Sequence, residues 1–335
     1  MMQSNQTVAS EPMPAKRQFS LFLREKLSRY AVWVALLLLL ALCASTSSAF
    51  RNPQNLLNIS RQISYSGIIA LGMTFVIISG GIDLSVGSLL ALSGTLAIMA
   101  MNSCQDPVRG VLLGLLVALV SGTCGGALNG LLVTVGRITP FIATLGTMSI
   151  FRSLALFLAK AGETRSQNEL FSRIGGAELF AVPLPTLVFL LLMLAGFVLL
   201  QATAFGRHVC AVGANERVAH YAAIRIGRVK FATYSMCGLL VGISAFLLGG
   251  RLNSIMSGTA GNAYELDGIA AAIIGGTAMS GGRGSIPGTL AGALILGIVS
   301  NALDMWGISA YLQGAVKGLV IIVAVLLQRQ RQSQQ

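Results

Sequence analysis

Charged residues are scarce in this sequence: they make up 10% of its 335 residues, against roughly 25% in an ordinary soluble domain. So little charge cannot cover a water-facing surface, which excludes a soluble globular protein. Hydrophobic residues form 54% of the chain. They are gathered in runs of about 20 residues, the length of a membrane-spanning helix rather than of a barrel strand. The sequence therefore predicts an all-α, polytopic membrane protein.

Cysteine is also rare, and the sequence motifs of enzymes are missing. The five cysteines are isolated, with no Cys-x-x-Cys spacing, and most lie in or beside apolar runs, where a thiol behaves as a small hydrophobic group. Phosphate-binding loops and the motifs of zinc proteases and serine hydrolases do not occur. We therefore predict no disulfide framework, no metal site, no cofactor and no catalytic residue.

Basic residues outnumber acidic ones, 23 to 11, and they lie in short segments between the apolar runs. The positive-inside rule explains this placement without a nucleic acid, and few aromatic residues and no recognised nucleic-acid-binding module accompany it. We therefore expect no nucleic-acid partner. The charge bias predicts that both termini and the long loop 205–229 are cytoplasmic, and that the polar loop 161–183 lies outside.

Three regions follow from the apolar pattern: a polar and basic cytoplasmic tail at 1–29, a transmembrane domain at 30–327, and a short cytoplasmic tail at 328–335. Two stretches within the domain are unusual. The stretch 109–136 is long enough to tilt, or to break near its GTCGG sequence, and 267–281 is short enough for a half-span. The predicted spans number about ten, at approximately 30–49, 62–80, 84–103, 109–136, 138–160, 184–204, 230–250, 267–281, 286–303 and 309–327.

A carboxylate follows a glycine pair at the end of one apolar run, in the sequence GGIDLSVGS. A charge costs on the order of 3 kcal/mol at the centre of a bilayer and less at its surface, so Asp83 is expected near the inner interface. Two roles stay open for Gly80, Gly81, Asp83 and Ser85. Asp83 or Ser85 caps the start of the next helix, or the group forms a gate or substrate contact in a broken helix.

A secondary carrier usually places ionisable residues in mid-membrane to bind its coupling ion. Here charges in the middle of the predicted spans are nearly absent: Arg152 and Lys317 are the candidates, and neither has an evident carboxylate partner in the sequence. An ion-coupled carrier is therefore the alternative rather than the preferred function. Without an ion site or an ATP-binding motif, the chain must take its energy from a partner protein.

The loop 205–229 is the cytoplasmic segment that is long enough to contact such a partner. A short helix is predicted to start at Asn215, with Glu216 in its first turn and glycines before it for tight turns. Such a helix either docks on a soluble motor domain or lies as a basic segment on anionic membrane lipid. The residues singled out are Gly206 and Gly213 for the turns, and Val218, Ala222 and Ile226 for one apolar face.

Four stretches of the sequence together carry a resemblance to a known family. They are SGGIDLSVGSLLALSG, ITPFIATLGTMSIFRS, FGRHVCAVGANERVAHYAAIRIGRVKFATYSMCGLLVGISAFLL and GGTAMSGGRGSIPGTLAGALILGIVSNALDMWGIS. They lie in family order and cover roughly 50–327. With them the chain resembles the permease subunit of ribose-type sugar ABC importers.

The resemblance implies a bacterial inner-membrane location and several partners: a second permease copy or homologue, separate ATP-binding cassette ATPase subunits, and a periplasmic sugar-binding protein. The segment from Gly213 to Ile226 matches the region that docks on the ATPase. It departs from the family pattern at His220 and Ala223, which leaves the identity of the ATPase open. A permease for a solute other than a sugar is a further alternative.

Overall fold

The structure is a computed structural model that describes residues 15–309, 312–320 and 322, with side chains from residue 31 onward. Helices dominate it, as the predicted all-α class requires. The predicted tails lie outside the described residues over 1–14 and 328–335. The helices are α1 (Ala15–Thr46), α2 (Pro53–Ile78), α3 (Val86–Asn102), α4 (Pro107–Thr134), α5 (Pro140–Leu158), α6 (Glu169–Gly176), α7 (Leu184–Ala202), α8 (Ala204–Ala214), α9 (Glu216–Tyr221), α10 (Ile226–Leu252), α11 (Tyr264–Ile274) and α12 (Ile286–Met305), and residues 312–320 are also helical.

Six of these helices are long and apolar enough to cross a membrane: α2, α4, α5, α7, α10 and α12. Two shorter apolar helices, residues 31–46 of α1 and the whole of α3, accompany them. The chain is therefore an all-α, multi-pass membrane protein. The predicted count of about ten spans is not confirmed among the residues that the structure describes.

The two unusual stretches behave differently. Helix α4 is continuous from Pro107 to Thr134, so the chain does not break at GTCGG. Helix α11 has only 11 residues. At a rise of about 1.5 Å per residue it is too short to cross a hydrocarbon core of about 30 Å. This length agrees with the half-span that the sequence predicts at 267–281.

Four short strands form two antiparallel pairs, and both pairs involve the predicted outer loop 161–183. Strand β1 (Glu163–Arg165) pairs with β4 (Ser254–Met256), which follows α10. Strand β2 (Glu178–Leu179) pairs with β3 (Val182–Pro183). The β1–β4 pair fixes the end of α5 against the segment between α10 and α11.

Helix α2 lies at the centre of the bundle. Of its apolar stretch 89% is buried, against 28% for α5 and 33% for each of α4 and α7, which face outward. Helices α4 and α10 pack through glycines: a Cβ at Gly122 or Gly126 would overlap the backbone of α10 near Gly238. Small residues allow membrane helices to approach this closely.

The loops that leave α2 and α11 turn inside the bundle. Gly80, directly after α2, has φ 83°, and Gly281 and Gly282, before α12, have φ 83° and 80°. These left-handed conformations favour glycine. Helix α3 begins among buried side chains, since Val86 is fully buried. The loop after α2 is therefore enclosed by the surrounding helices.

Candidate functional site

The Asp83 carboxylate lies in a buried polar network that joins three helices. Its Oδ1 accepts hydrogen bonds from the backbone N–H and the hydroxyl of Ser85, at 2.9 and 2.7 Å. The Asn129 amide of α4 donates to Asp83 Oδ2 at 3.2 Å and to the Ser85 hydroxyl at 2.8 Å. The Thr147 hydroxyl of α5 donates to Asn129 Oδ1 at 2.6 Å. Asp83 is 1% exposed, so its carboxylate is enclosed by protein rather than by solvent.

The start of α3 differs in detail from the capping prediction. Ser85 is the N-cap residue, yet its side chain makes no capping hydrogen bond. The Asp83 carboxylate accepts a hydrogen bond from the backbone N–H of Ser85. This bond closes a turn between side chain and backbone that precedes the helix. The carboxylate therefore holds the chain that leads into α3, while Asn129 ties it to α4. Asn129 and Thr147 could not be predicted as partners, because no local pattern in the sequence connects them with Asp83.

The glycine pair before Asp83 serves close packing. A Cβ at Gly81 would lie 2.5 Å from the hydroxyl oxygen of Tyr234 on α10. That hydroxyl donates a hydrogen bond to the carbonyl oxygen of Ile82, at 3.0 Å. Gly80 provides the left-handed turn, and Gly81 leaves room for the tyrosine. The pair thus fixes the direction in which the chain approaches Asp83.

A glycine junction connects the predicted coupling region with the loops after α2 and α11. We use this name for Gly80, Gly213, Gly281 and Gly282. A Cβ at Gly213 would overlap the carbonyl oxygen of Ile78, and one at Gly281 would lie 2.8 Å from Gly213 O and 3.2 Å from Gly80 Cα. The N–H of Gly282 donates to the same Ile78 carbonyl at 2.9 Å. Backbone therefore contacts backbone where the three segments meet.

The predicted turns at Gly206 and Gly213 are wrong. Both glycines lie inside α8, and neither has a positive φ. Their missing side chains allow close contact instead, since a Cβ at Gly206 would overlap the carbonyl oxygen of Leu200. Burial raises the pKa of the Cys210 thiol in the same helix, which lowers its reactivity.

The predicted helix start at Asn215 is confirmed. The side chain of Asn215 accepts hydrogen bonds from the backbone N–H groups of Arg217 and Val218, at 3.0 and 3.2 Å. Glu216 lies in the first turn of α9 and forms an ion pair with Lys230 of α10. The cap and the ion pair fix this short helix to the membrane domain.

The apolar face predicted on α9 is only partly present. Val218 is 61% exposed, and Ala222, the C-cap residue, is also exposed. Ile226 belongs to α10, because the chain turns at Ala223, whose φ is 58°. Val218 and Ala222 therefore remain available to a partner, whereas the predicted continuous face through Ile226 is wrong.

An open pocket of about 460 Å³ lies beside α9. It combines basic side chains with a larger apolar lining, which suits a segment of another protein that offers both apolar and acidic side chains. Its lining residues are His220, Ala223, Ile224, Arg225, Ile226, Gly227 and Arg228. The pocket formed no part of the sequence prediction, because it depends on the turn between α9 and α10.

The two cations predicted inside the membrane do have polar partners. Lys317 forms an ion pair with Asp267 of α11, at 3.0 Å, so the expectation that it has no carboxylate partner is wrong. Arg152 of α5 donates to the carbonyl oxygens of Ser257 and Ala260, at 2.7 and 3.0 Å. Both contacts bring together residues at least 50 positions apart in the sequence.

The chain is similar to known proteins. One family model matches residues 55–325, and its description is "Branched-chain amino acid transport system / permease component". This range includes the Asp83 network, the glycine junction and α9. No solved structure matches the chain.

Curated relatives align over nearly the whole chain. The ribose import permease protein of Bacillus subtilis (strain 168) is 42% identical over 301 residues, 89% of this chain and 92% of the relative. Its counterpart in Escherichia coli (strain K12) is 39% identical over 303 residues, 89% of this chain and 93% of the relative. The L-arabinose transport system permease protein of Escherichia coli (strain K12) is 34% identical over 304 residues, 91% of each chain. This chain therefore belongs to the family of transport-system permease components that the match defines.

Proposed function

We propose that this chain is the transmembrane permease subunit of an ABC importer, and that it moves a monosaccharide of the ribose, xylose or allose type across the bacterial inner membrane. The observation that carries the proposal is the alignment with ribose import permeases at 39–42% identity over 89% of the chain. The permease supplies the path and a separate ATPase supplies the energy. No catalytic step is assigned to the chain.

A sugar is preferred to an amino acid as the solute. The family description names branched-chain amino acids, but relatives named for ribose and arabinose are 34–42% identical over 89–91% of the chain. Binding of the sugar before transport belongs to a periplasmic sugar-binding protein. The pore is completed by a second permease copy or a homologue.

The ATPase subunit docks, in this proposal, on α9 and the adjacent pocket. The residues assigned to coupling are Gly213, Asn215, Glu216, Val218, Ala222 and Ile226. Asn215 and Glu216 orient α9, while Val218 and Ala222 present its exposed face. The pocket would receive a segment of the ATPase that offers both apolar and acidic side chains. Basic residues around this region would also contact anionic membrane lipid.

We assign a positioning role to Asp83 rather than direct contact with the solute. Its oxygens are occupied by Ser85 and Asn129, and the side chain is buried. Motion of the docked ATPase would reach the Asp83 loop through Gly213, which touches Ile78 at the end of α2, directly before that loop. Gly80, Gly81, Asp83 and Ser85 then act together as the part of the gate that connects α2 with α3.

The proposal includes the orientation of the chain in the membrane and its division into two tails and a transmembrane domain. Both tails, at 1–29 and 328–335, and the loop 205–229 lie in the cytoplasm, and 161–183 lies in the periplasm. The transmembrane domain occupies 30–327.

A sugar panel tests the choice of solute. Cells that lack the chain, and the same cells with it restored, are compared for uptake of radiolabelled ribose, xylose, allose, arabinose and leucine. Restored uptake of one pentose or hexose, competed by excess of the same sugar, is the expected result. Restored uptake of leucine and of no sugar would contradict the proposal in favour of a non-sugar ABC permease.

A further inference from the structure

One turn of α5 exposes polar side chains at membrane depth. Ser149 and Ser153 are exposed, and Arg152 is partly exposed. Arg152 lies twelve residues after Pro140, the first residue of α5. At about 1.5 Å per residue this places it about 18 Å along the helix axis, near the middle of a hydrocarbon core about 30 Å thick.

The segment between β4 and α11 brings further polar groups to this turn. The Arg152 guanidinium holds it through the Ser257 and Ala260 carbonyls and donates from Nη2 to Asn262 Oδ1, at 3.0 Å. Glu265, in the first turn of α11, lies close to the start of α3, since a Cβ at Gly87 would be 2.5 Å from its Oε2. Side chains from α5 and α11 therefore converge where α3 begins.

Hydrocarbon is the wrong environment for this polar turn. The adjacent face of α5 exposes Ile150, Leu154 and Phe157, as expected of a lipid-facing surface. Ser149 and Ser153 interrupt this exposed surface, and Leu145, one turn before Ser149, is exposed as well. The Ser149 hydroxyl donates to the Leu145 carbonyl oxygen at 3.4 Å and can still accept a hydrogen bond. The Arg152 guanidinium is charged, and at this depth it requires water or protein beside it.

We infer that Ser149, Arg152, Ser153, Asn262 and Glu265 form a hydroxyl-binding subsite for the monosaccharide on its path through the membrane. The inference rests on the proposed function. Sugar hydroxyls both donate and accept hydrogen bonds, and this group offers both kinds of partner. Contacts of this kind fix orientation in a small-molecule site.

The guanidinium of Arg152 can hold the turn and bind a sugar at the same time. Among the described contacts, both N–H groups of Nη1 and one of Nη2 are engaged. The second N–H of Nη2 and that of Nε remain to donate. A shallow site with few contacts also lets the solute leave again, as conduction requires.

Thiol reactivity tests whether the polar turn meets water. Ser153→Cys and Leu154→Cys are introduced singly into a cysteine-free permease, which is assembled with its ATPase in vesicles and treated with a hydrophilic thiol reagent. Only a thiolate reacts, and a thiol in apolar surroundings stays protonated. We expect position 153 to react at least about tenfold faster than position 154. Equal, slow reaction at both positions would overturn the inference.

Uptake tests whether the turn binds sugar. The variants are Asn262→Ala and the double change Ser149→Ala with Ser153→Ala, which leave the bonds from Arg152 to the backbone in place. The control is Thr123→Val on α4, whose hydroxyl bonds only to Leu119 of its own helix among the described contacts. We expect uptake of the sugar that the wild type transports to fall about tenfold, equivalent to about 1.4 kcal/mol, in the variants and not in the control.

ATP hydrolysis separates this inference from the proposed function. Hydrolysis stimulated by the binding protein should stay within about twofold of wild type, because the residues assigned to ATPase docking lie on α8, α9 and α10 and not on α5. Wild-type uptake in both variants would overturn the inference alone. A wild-type complex that takes up no monosaccharide would overturn the proposed function, and with it the choice of a sugar as the ligand.

Discussion

Among single residues, Asp83 has the most specific surroundings. Its two oxygens accept from Ser85 and Asn129 within the buried network. In Asp83→Asn one oxygen becomes an amide donor, which must face either Ser85 or the Asn129 amide. A buried donor without an acceptor costs about 1–3 kcal/mol. We therefore predict a lower unfolding temperature for the purified complex and partial loss of transport, measured at matched expression.

The control for this change is Asp106→Asn. Asp106 caps the exposed start of α4 by accepting from the backbone N–H of Arg109, at 2.7 Å, and asparagine caps about as well as aspartate. It should retain wild-type stability and transport. The double variant Asp83→Asn with Asn129→Asp exchanges donor and acceptor and should recover part of the loss. Wild-type behaviour of Asp83→Asn alone would remove any role for the charge.

Only the part of the network next to Asp83 in the sequence could be predicted. The sequence GGIDLSVGS placed a helix start after Asp83, and the structure has α3 from Val86. Asn129 and Thr147 lie 46 and 64 positions further along the chain. Their meeting with Asp83 depends on how α4 and α5 pack against α3, which no local pattern encodes.

The close packing of α8 predicts that a side chain at Gly213 impairs transport. A Cβ there would overlap the Ile78 carbonyl and meet Gly282 N at 2.6 Å, so α8 must move away from both loops. Gly213→Ala should insert into the membrane but lose most transport and most ATP hydrolysis driven by the binding protein. Overpacking of this kind typically costs about 1–3 kcal/mol.

Gly176→Ala is the matched control for Gly213→Ala, because no atom lies within 4 Å of a Cβ there. Gly176 is the last residue of α6, in the outer loop and away from the docking pocket. Its transport and hydrolysis should equal wild type. Equal activity of both variants would mean that the glycine junction transmits nothing.

The exposed end of α9 predicts the effect of a bulky residue on docking. Ala222→Trp places a large side chain at the C-cap, beside the 460 Å³ pocket, without disturbing a buried residue. The variant should insert normally and lose about tenfold in ATPase affinity, the equivalent of about 1.4 kcal/mol. Co-purification of the ATPase at matched membrane expression measures this.

Ala177→Trp, in the outer loop, controls for the presence of a surface tryptophan and should leave ATPase recovery unchanged. Equal recovery with Ala222→Trp would instead favour contact of α9 with lipid.

The sequence predicted α9 itself, because a cap and a charged first turn are local features. It did not predict the turn at Ala223 or the helical setting of Gly213, because both follow from contacts with distant backbone.

For the whole molecule, the hydrophobic pattern predicted the class and the positions of most helices. It could not set the count of spans, since α3 and α11 are apolar yet shorter than a membrane is thick. The pattern also missed the partners of Lys317 and Arg152, which come from the segment between β4 and the middle of α11. Individual polar residues in apolar runs can be recognised in a sequence, but their partners depend on the tertiary structure.

The orientation of the whole chain predicts opposite labelling of two exposed positions. In a cysteine-free permease, Gln167→Cys should react with an impermeant thiol reagent in cells with a permeable outer membrane, and Arg217→Cys should react only after lysis. Ser166 is unsuitable for this purpose because it is buried against Met101. Labelling of position 217 but not of position 167 in intact cells would reverse the orientation.

Transport by purified components tests directly whether a separate ATPase energises this permease. Vesicles with the permease alone, and vesicles with the permease and its ATPase, receive the binding protein and radiolabelled sugar, with ATP on the cytoplasmic side or with a proton or sodium gradient. The account predicts uptake only when ATPase, binding protein and ATP are all present, and none with a gradient alone. Sugar accumulation by the permease alone under an ion gradient would contradict it, and the Asp267–Lys317 pair would then be the first place to look for ion coupling.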